Sequence, residues 1–264
     1  MKKKKIVIFT ANELRHLAFI NYLKKTKGIE VVGALIEKKN KVNITKSLAL
    51  INHFRQRNNM ESNYFKGLKI KKREKYIYRC NKHFISSKRC LDLIKELKPD
   101  LIVVYGSSII RGSIINIYKN KILNVHLGLS PYYRGSGTNI FPLINSEPEY
   151  VGVTFMFLDK GIDTGNIIHQ IRPKYKMNDS IHDIGNKLIL RMFKIYKKII
   201  LNFEKIIKIK PIKIKNSKYY KKKDFTEKTL QQLKKNFDNG LIKNYLKIHK
   251  KRERTIKLIK QSWI

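Results

Sequence analysis

Hydrophobic and polar positions follow two alternating periods along the first two hundred residues. Short apolar runs typical of buried strands occur at residues 5–10, 29–36, 101–105, 122–125 and 152–158, with a weaker one at 76–78. Apolar residues spaced three or four positions apart, which indicate amphipathic helices, occupy residues 12–25, 44–65 and 88–97, and a long helix begins near Asp179-Ser180. Strands that alternate with helices predict an α/β fold with a doubly wound, mostly parallel, Rossmann-like sheet.

The pattern changes near residue 204, which divides a main domain, residues 1–204, from a short, basic and mixed C-terminal extension, residues 205–264. Pro211 interrupts the alternating stretch KIIKIKPIKIK, which predicts an edge strand or a small hairpin. Thr226 is placed to cap a final helix, and Gly240 is expected to end it.

The chain carries a formal net charge of +40, which is typical of proteins that bind nucleic acid or anionic membranes. The basic residues are spread along the whole chain, however, and lysine far outnumbers arginine. Directed phosphate recognition tends to use arginines on one face. The charge therefore favours a solvated, lysine-rich surface over a dedicated groove, so that nucleic acid is a possible partner but not the favoured one.

The two cysteines, Cys80 and Cys90, make neither a disulfide framework nor a metal site. They lie ten positions apart with only His83 nearby, which is not a zinc-ligand spacing, and we expect no metal. The N-terminal apolar run IVIFTA is too short for a signal peptide, and no later run is long enough to span a bilayer. We therefore expect a soluble, cytoplasmic protein without a membrane partner.

Asn124 and His126 end an apolar run and stand two positions apart, so a strand would turn both side chains to one face. A carboxamide and an imidazole suit a developing oxyanion when a carboxylate lies near the histidine. No serine or cysteine nucleophile accompanies them, which favours direct attack of a second substrate on a carbonyl group. From spacing alone, a packed histidine at a strand end is the simpler explanation.

Further motifs follow in a fixed order. Pro131 precedes Arg134-Gly135, a strand begins at Gly152-Val153-Thr154, and the turn Gly161-Ile162-Asp163-Thr164-Gly165 comes next. With Asn124-x-His126, this order resembles the signature of folate-dependent formyltransferases. That superfamily contains the glycinamide ribonucleotide, methionyl-tRNA and amino-sugar-nucleotide formyltransferases, and the similarity extends over most of residues 1–200.

The resemblance implies that residues 1–204 are a formyltransferase catalytic domain with three catalytic residues. Asn124 and His126 would stabilise the oxyanion that forms when an amine attacks the formyl carbon of 10-formyltetrahydrofolate, and Asp163 would orient His126 and relay protons. Asp159 is the rival carboxylate, but it lacks the Gly-x-Asp-x-Gly context. By the same resemblance, the pteridine of this co-substrate would lie against Ser107, Ser108, Ile109, Leu158 and Ile162.

Departures from the family pattern bear on the formyl acceptor. The loop after the first strand contains no glycine, which argues against glycinamide ribonucleotide. Arg15, His16 and Arg134 are candidates for binding an acidic acceptor. Methionyl-tRNA enzymes share the basic charge but carry a C-terminal β-barrel, for which the residues after Leu201 look too few and too helical.

The leading hypothesis is an enzyme that formylates the primary amine of a small anionic acceptor, with an amino-sugar nucleotide the favoured class. Glycinamide ribonucleotide and then methionyl-tRNA are the alternative acceptors. A basic RNA-binding protein on a vestigial formyltransferase fold is the alternative that is not an enzyme. A homodimer is a possible assembly.

Overall fold

The regular elements lie within the residues that the computed structural model describes, which are 2–38, 47–68, 74–210 and 217–264. The strands are β1 (Lys4–Ala11), β2 (Ile29–Glu37), β3 (Ile77–Cys80), β4 (Leu101–Tyr105), β5 (Ile122–His126), β6 (Tyr133–Gly135), β7 (Val153–Phe157), β8 (Ile167–Ile171) and β9 (Lys218–Tyr220). The helices are α1 (Leu14–Lys24), α2 (Leu48–Phe65), α3 (Lys88–Leu97), α4 (Ser113–Ile117), α5 (Phe141–Ile144), α6 (Ile181–Leu201), α7 (Glu227–Asp238) and α8 (Leu241–Arg254).

Seven strands form one sheet in the order β3-β2-β1-β4-β5-β7-β8. The first five are parallel to their neighbours, whereas β7 runs antiparallel to β5 and β8 antiparallel to β7. The order reverses between β1 and β4, where the chain changes from one side of the sheet to the other. The predicted doubly wound, mostly parallel α/β fold is confirmed.

Helices cover both faces of the sheet because the parallel strands are apolar on both sides. On one face, α1, α2 and α6 bury residues such as Phe19, Phe65 and Phe193 against the sheet. On the other face, α3 and α4 bury a smaller apolar cluster that includes Ile94 and Ile114. The result is a three-layer sandwich with the strand ends left open for loops.

Helix α6 is joined to the sheet at the two strands that lead to the candidate site. The Ser180 hydroxyl accepts the Asp183 N–H, and this capping box begins the helix where the sequence predicted. The fully buried Tyr196 then donates its hydroxyl hydrogen to the carbonyl oxygen of Leu123 on β5, at 2.6 Å. The hydroxyl oxygen of Tyr196 also accepts the N–H of Val104 on β4, at 3.3 Å.

The C-terminal part contains one helix more than the sequence predicted. Thr226 caps α7 and Gly240 follows its end, as expected, but α8 begins directly after Gly240, so the prediction that α7 is the final helix is wrong. Gly240 adopts a left-handed φ of 72°, which turns the chain between the helices. Although α8 is rich in lysine, it buries Ile242 and Tyr245, and this burial outweighs its low hydrophobic content.

The predicted edge strand or hairpin around Pro211 lies partly outside the described residues. Before that gap, Ile209 forms an isolated antiparallel bridge with Ile167 at the start of β8. After it, β9 pairs in parallel with β6 to form a small two-stranded sheet. Residues from both sides of the predicted boundary thus share hydrogen bonds.

We expect acid to destabilise the protein through two buried histidines. Burial lowers the pKa values of His53 and His169 to about 4, and His169 Nδ1 accepts the backbone N–H of Gln261 at 3.1 Å. A histidine whose pKa falls from 6.5 on folding stabilises the protein fully above pH 6.5 and loses that contribution as the pH falls toward 4. The loss should be on the order of 3 kcal/mol for each histidine.

Urea denaturation at a series of pH values across this interval measures that dependence. The double variant His53→Gln, His169→Gln should show a flatter decline of the free energy of unfolding than the wild-type protein. An equally steep decline in the double variant would contradict the assignment.

Candidate active site

Alternation along β5 divides its side chains between the two faces of the sheet. Leu123 and Val125 enter the larger core, while Ile122, Asn124 and His126 share the face covered by α3 and α4. Asn124 is half-buried and His126 is 7% exposed. A carboxamide and an imidazole thus project from one face of a rigid central strand.

Both ring nitrogens of His126 face oxygen atoms. Nδ1 lies 3.3 Å from Asp163 Oδ2, and Nε2 lies 3.1 Å from the carbonyl oxygen of Tyr133. A carboxylate and a carbonyl can only accept hydrogen bonds, so each ring N–H has an acceptor when it is present. These two contacts fix the plane of the imidazole.

Asp163 reaches His126 because the segment after β7 turns back along the sheet. Strand β7 begins beside His126 and runs away from it, so that Phe157 lies opposite Leu123, about 10 Å from the strand end. Residues 158–166 then return across the face of the sheet and place Asp163 in a left-handed conformation with φ 55°. The N–H of Gly135 donates to Asp163 Oδ2 at 3.1 Å, which holds the carboxylate in place.

The neighbouring Asp159 shapes that returning segment instead of facing the histidine. Its Oδ1 accepts the N–H of Gly161 at 3.0 Å and the hydroxyl of Thr164 at 2.9 Å. The turn closes tightly at Gly165, where an added Cβ would lie 1.7 Å from a backbone carbonyl oxygen. Of the two carboxylates in this segment, Asp163 is the one in contact with His126.

The loop after β5 is fastened by polar residues whose roles the sequence analysis missed. Thr154 of β7 donates its hydroxyl hydrogen to the Gly128 carbonyl at 2.7 Å and accepts the Ser130 N–H at 2.9 Å. Gln170 of β8 donates to the Ser130 carbonyl at 2.7 Å. A buried threonine and glutamine within otherwise apolar strands were the sequence signal that could have identified them.

The five residues expected to contact a pteridine lie on the two loops that flank β5. Ser107, Ser108 and Ile109 follow β4, and Leu158 and Ile162 follow β7. Ile109 is 47% and Ile162 is 38% exposed, whereas Leu158 is half-buried against the smaller core. The two loops therefore present apolar surface to solvent on either side of Asn124.

The three candidate acceptor-binding residues lie on two elements, the start of α1 and strand β6. The buried guanidinium of Arg15 is paired with the carboxylates of Glu13 and Glu61, and His16 Nδ1 lies 3.3 Å from Glu13. Arg134 stands on β6 beside Gly135, and its Nε donates to the Ser217 hydroxyl at 2.9 Å. The two carboxylates around Arg15 were not expected from the sequence.

The described part of the chain has few other groups suited to catalysis or metal binding. Burial raises the pKa of Cys80 to about 11 and that of Cys90 to about 12, which keeps both free thiols protonated near neutral pH. The described residues hold no group of three histidine, cysteine or acidic side chains that could bind a metal ion. None of the described helices combines the length and the apolar character needed to cross a membrane.

Comparison with known proteins agrees with this architecture. A family model described as formyl transferase matches residues 4–200. A methionyl-tRNA formyltransferase of Finegoldia magna is 33% identical over 123 residues, and this match covers 46% of the chain but only 39% of that protein. The chain thus matches well under half the length of this curated relative.

Solved structures show the same fold. WlaRD, a sugar 3N-formyl transferase, superposes with a TM-score of 0.53 and 24% identity over 86% of this chain and 72% of its own. The phosphoribosylglycinamide formyltransferase of Anaplasma phagocytophilum gives a TM-score of 0.56 and 12% identity, covering 84% and 100% of the two chains. The fold is that of these one-carbon transferases. The chain belongs to the formyl transferase family, which confirms the predicted membership.

We expect Gly128→Ala to disturb the imidazole of His126. An added Cβ would lie 2.5 Å from His126 Nε2 and 2.7 Å from the Thr138 hydroxyl, so the ring or the loop must shift. The free energy of unfolding should fall by about 1–3 kcal/mol, the usual cost of overpacking, and the NMR signals of the His126 ring should move.

Gly185→Ala is the matched control, because nothing lies within 4 Å of an added Cβ at this position in α6. It should leave stability unchanged or raise it by up to about 1 kcal/mol through helix propensity. Equal effects of the two substitutions would contradict the packing of Gly128 against His126.

Proposed function

We propose that the protein transfers the formyl group of 10-formyltetrahydrofolate to the primary amine of a small anionic acceptor. The observation that carries this proposal is the placement of His126 on the same face of β5 as Asn124 and in contact with Asp163. Among the described residues, no thiol or hydroxyl group forms a hydrogen bond with His126. Such a site suits direct transfer between two bound substrates.

The bound co-substrate supplies the formyl carbon, and the side chains act on the charge that develops there. The amine nitrogen forms a bond to this carbon, and the resulting oxyanion receives a hydrogen bond from the Asn124 amide and one from the His126 ring, whose Nε2–H turns from the Tyr133 carbonyl to the substrate. Asp163 holds the ring and balances its positive charge. As the bond from carbon to the folate nitrogen breaks, the proton lost by the amine passes to that nitrogen through water near Asp163.

The loops on either side of Asn124 fit a flat, largely apolar ring system. Ile109 and Ile162 are exposed and stand on the segments that follow β4 and β7, the two strands beside β5, and apolar side chains of this kind line sites for ring systems. Ser107, Ser108 and Leu158 complete the proposed pteridine site. The apolar side chains would bury the ring, and loop backbone groups would pair with its edge.

The small sheet of β6 and β9 supports an acceptor that contains a nucleotide. Arg134 and Tyr219 are register partners in this parallel pair, so their side chains share one face. Tyr219 is 45% exposed and lies beside Gly135, whose N–H holds Asp163. An exposed aromatic ring and a guanidinium suit a nucleobase and a phosphate group, which favours an amino-sugar nucleotide.

The start of α1 disfavours glycinamide ribonucleotide as the acceptor. A phosphate commonly binds at a helix N-terminus. Here Glu13 is the N-cap of α1, and Glu61 is buried against Arg15, so two carboxylates already occupy this region. A phosphate placed beside them would be repelled.

Methionyl-tRNA is the second candidate acceptor. The relative with this activity in its name is 33% identical over its matched segment, and the net charge of +40 would favour association with RNA. Salt separates the two candidates, because activity on tRNA should fall steeply with added salt, whereas activity on a small acceptor should respond weakly. RNA binding without catalysis would show the same salt response but no formyl transfer.

An acceptor screen tests the proposal directly. The protein is incubated with 10-formyltetrahydrofolate and a panel of amino-sugar nucleotides, glycinamide ribonucleotide and methionyl-tRNA, and each product is examined by mass spectrometry for the gain of one formyl group. Formylation of an amino-sugar nucleotide is the expected result. Absence of transfer to any amine would reject the proposal.

Asp163→Asn should reduce turnover by on the order of a hundredfold while leaving the melting temperature almost unchanged. The amide oxygen can still accept the Gly135 N–H, but the amide neither balances an imidazolium nor accepts a proton. Initial rates and thermal denaturation measure the two effects. Asp159→Asn is the control that should retain activity, and the reverse ranking would transfer the catalytic role to Asp159.

Tyr219→Ala should raise the KM for the nucleotide acceptor by about tenfold and change kcat little, because stacking on the ring contributes to ground-state binding. Tyr219→Phe keeps the aromatic face and should bind the acceptor nearly as well as the wild-type protein. Steady-state kinetics with varied acceptor measure both. Equal KM values for the alanine variant and the wild-type protein would remove Tyr219 from the acceptor site.

A further inference from the structure

A buried carboxylate lies at the end of β2, outside the set of residues assigned to catalysis. Glu37 is the last residue of this strand and is only 2% exposed. Its Oε1 accepts the backbone N–H of His83 at 2.7 Å and the hydroxyl of Ser108 at 2.8 Å. Its Oε2 accepts the backbone N–H of Ser108 at 2.7 Å.

These hydrogen bonds join two separate loops. Strands β2 and β4 lie on either side of β1, so the Glu37 side chain reaches past the end of β1 to the loop that follows β4. The same carboxylate reaches the segment after β3 through His83. Glu37 therefore sets the position of the β4 loop relative to the strand ends.

The loop that Glu37 holds has no regular secondary structure of its own. Between β4 and α4, the N–H of Ser108 donates to Glu37, and the N–H of Arg111 donates to the Ser86 hydroxyl at 2.9 Å. Side chains from other parts of the chain thus provide the acceptors that fix this loop. Ser107, Ser108 and Ile109, three of the five proposed folate contacts, lie within it.

We infer that Glu37 is a positioning residue for the folate-binding loop, and that it sets the affinity for the folate without taking part in formyl transfer. The inference rests on the proposed function, since it requires the folate to contact residues 107–109. It follows from two backbone N–H groups, on different loops, that share one buried carboxylate. Loss of this acceptor would leave both N–H groups without their carboxylate partner, or would release the loop.

Glutamine cannot replace this carboxylate although its shape is the same. Each oxygen of Glu37 accepts a backbone N–H, one from His83 and one from Ser108. Whichever way the amide is turned, its NH₂ group faces one of those N–H donors. Glu37→Gln therefore tests the pattern of acceptors at constant side-chain volume, and Glu37→Asp keeps the charge but shortens the reach.

The experiment measures the binding of folinic acid by calorimetry, the hydrolysis of 10-formyltetrahydrofolate without an acceptor, and hydrogen exchange of residues 106–111. Glu37→Gln should weaken folinic acid binding by about tenfold, because one of the two backbone N–H groups loses its acceptor and the loop loses one of its attachments. The hydrolysis rate at saturating folate should stay near the wild-type value, and exchange in the loop should accelerate. Glu37→Asp should bind folinic acid with an affinity between those of the wild-type protein and Glu37→Gln. It serves as the test if the glutamine variant does not fold.

Glu30→Gln is the matched control, because Glu30 is an exposed glutamate on the same strand. It should bind folinic acid as the wild-type protein does. If wild-type protein binds folinic acid and both Glu37 variants bind it equally well, the positioning role is overturned. A wild-type protein that binds no folinic acid rejects the proposed function, and the inference falls with it.

Discussion

The contact between His126 and Asp163 requires the chain to reverse its course within a few residues. Strand β7 carries the chain away from His126, and the segment that follows must return across the sheet before β8 begins. This return needs the tight closure at Gly165 and the left-handed backbone of Asp163. The local conformational cost is offset by the carboxylate's hydrogen bond from Gly135 and its contact with His126.

The same region depends on the change from parallel to antiparallel pairing after β5. Because β7 starts beside the end of β5, Thr154 stands opposite His126 and can hold the loop that follows the histidine. On the other side, β4 and β5 are tied to α6 through Tyr196. The candidate site is therefore supported from both neighbouring strands, which keeps Asn124 and His126 in a fixed relation.

Local periodicity predicted most elements that carry a continuous apolar run or a wide apolar stripe, although the buried strand β8 was not among them. The helix at Lys88–Leu97 and the strand at Leu101–Tyr105 agree with the prediction residue for residue. The short strands β6 and β9 were not predicted, because three residues carry too little pattern and their pairing joins segments more than eighty residues apart. Helix α8 was missed because its lysines masked a narrow buried stripe.

The sequence by itself determined the fold class, the shared face of Asn124 and His126, and the presence of a carboxylate in the turn at 161–165, since periodicity and motif order are local properties. Only the tertiary structure decided that Arg15 is paired with Glu13 and Glu61 and that Glu37 holds the loop after β4, and it showed the contact of Asp163 with His126 that the resemblance had implied. The contacts of Asp163 with His126, of Arg15 with Glu61 and of Glu37 with Ser108 each join residues on different elements. Their distances depend on strand order and on the paths of loops, which no local pattern encodes.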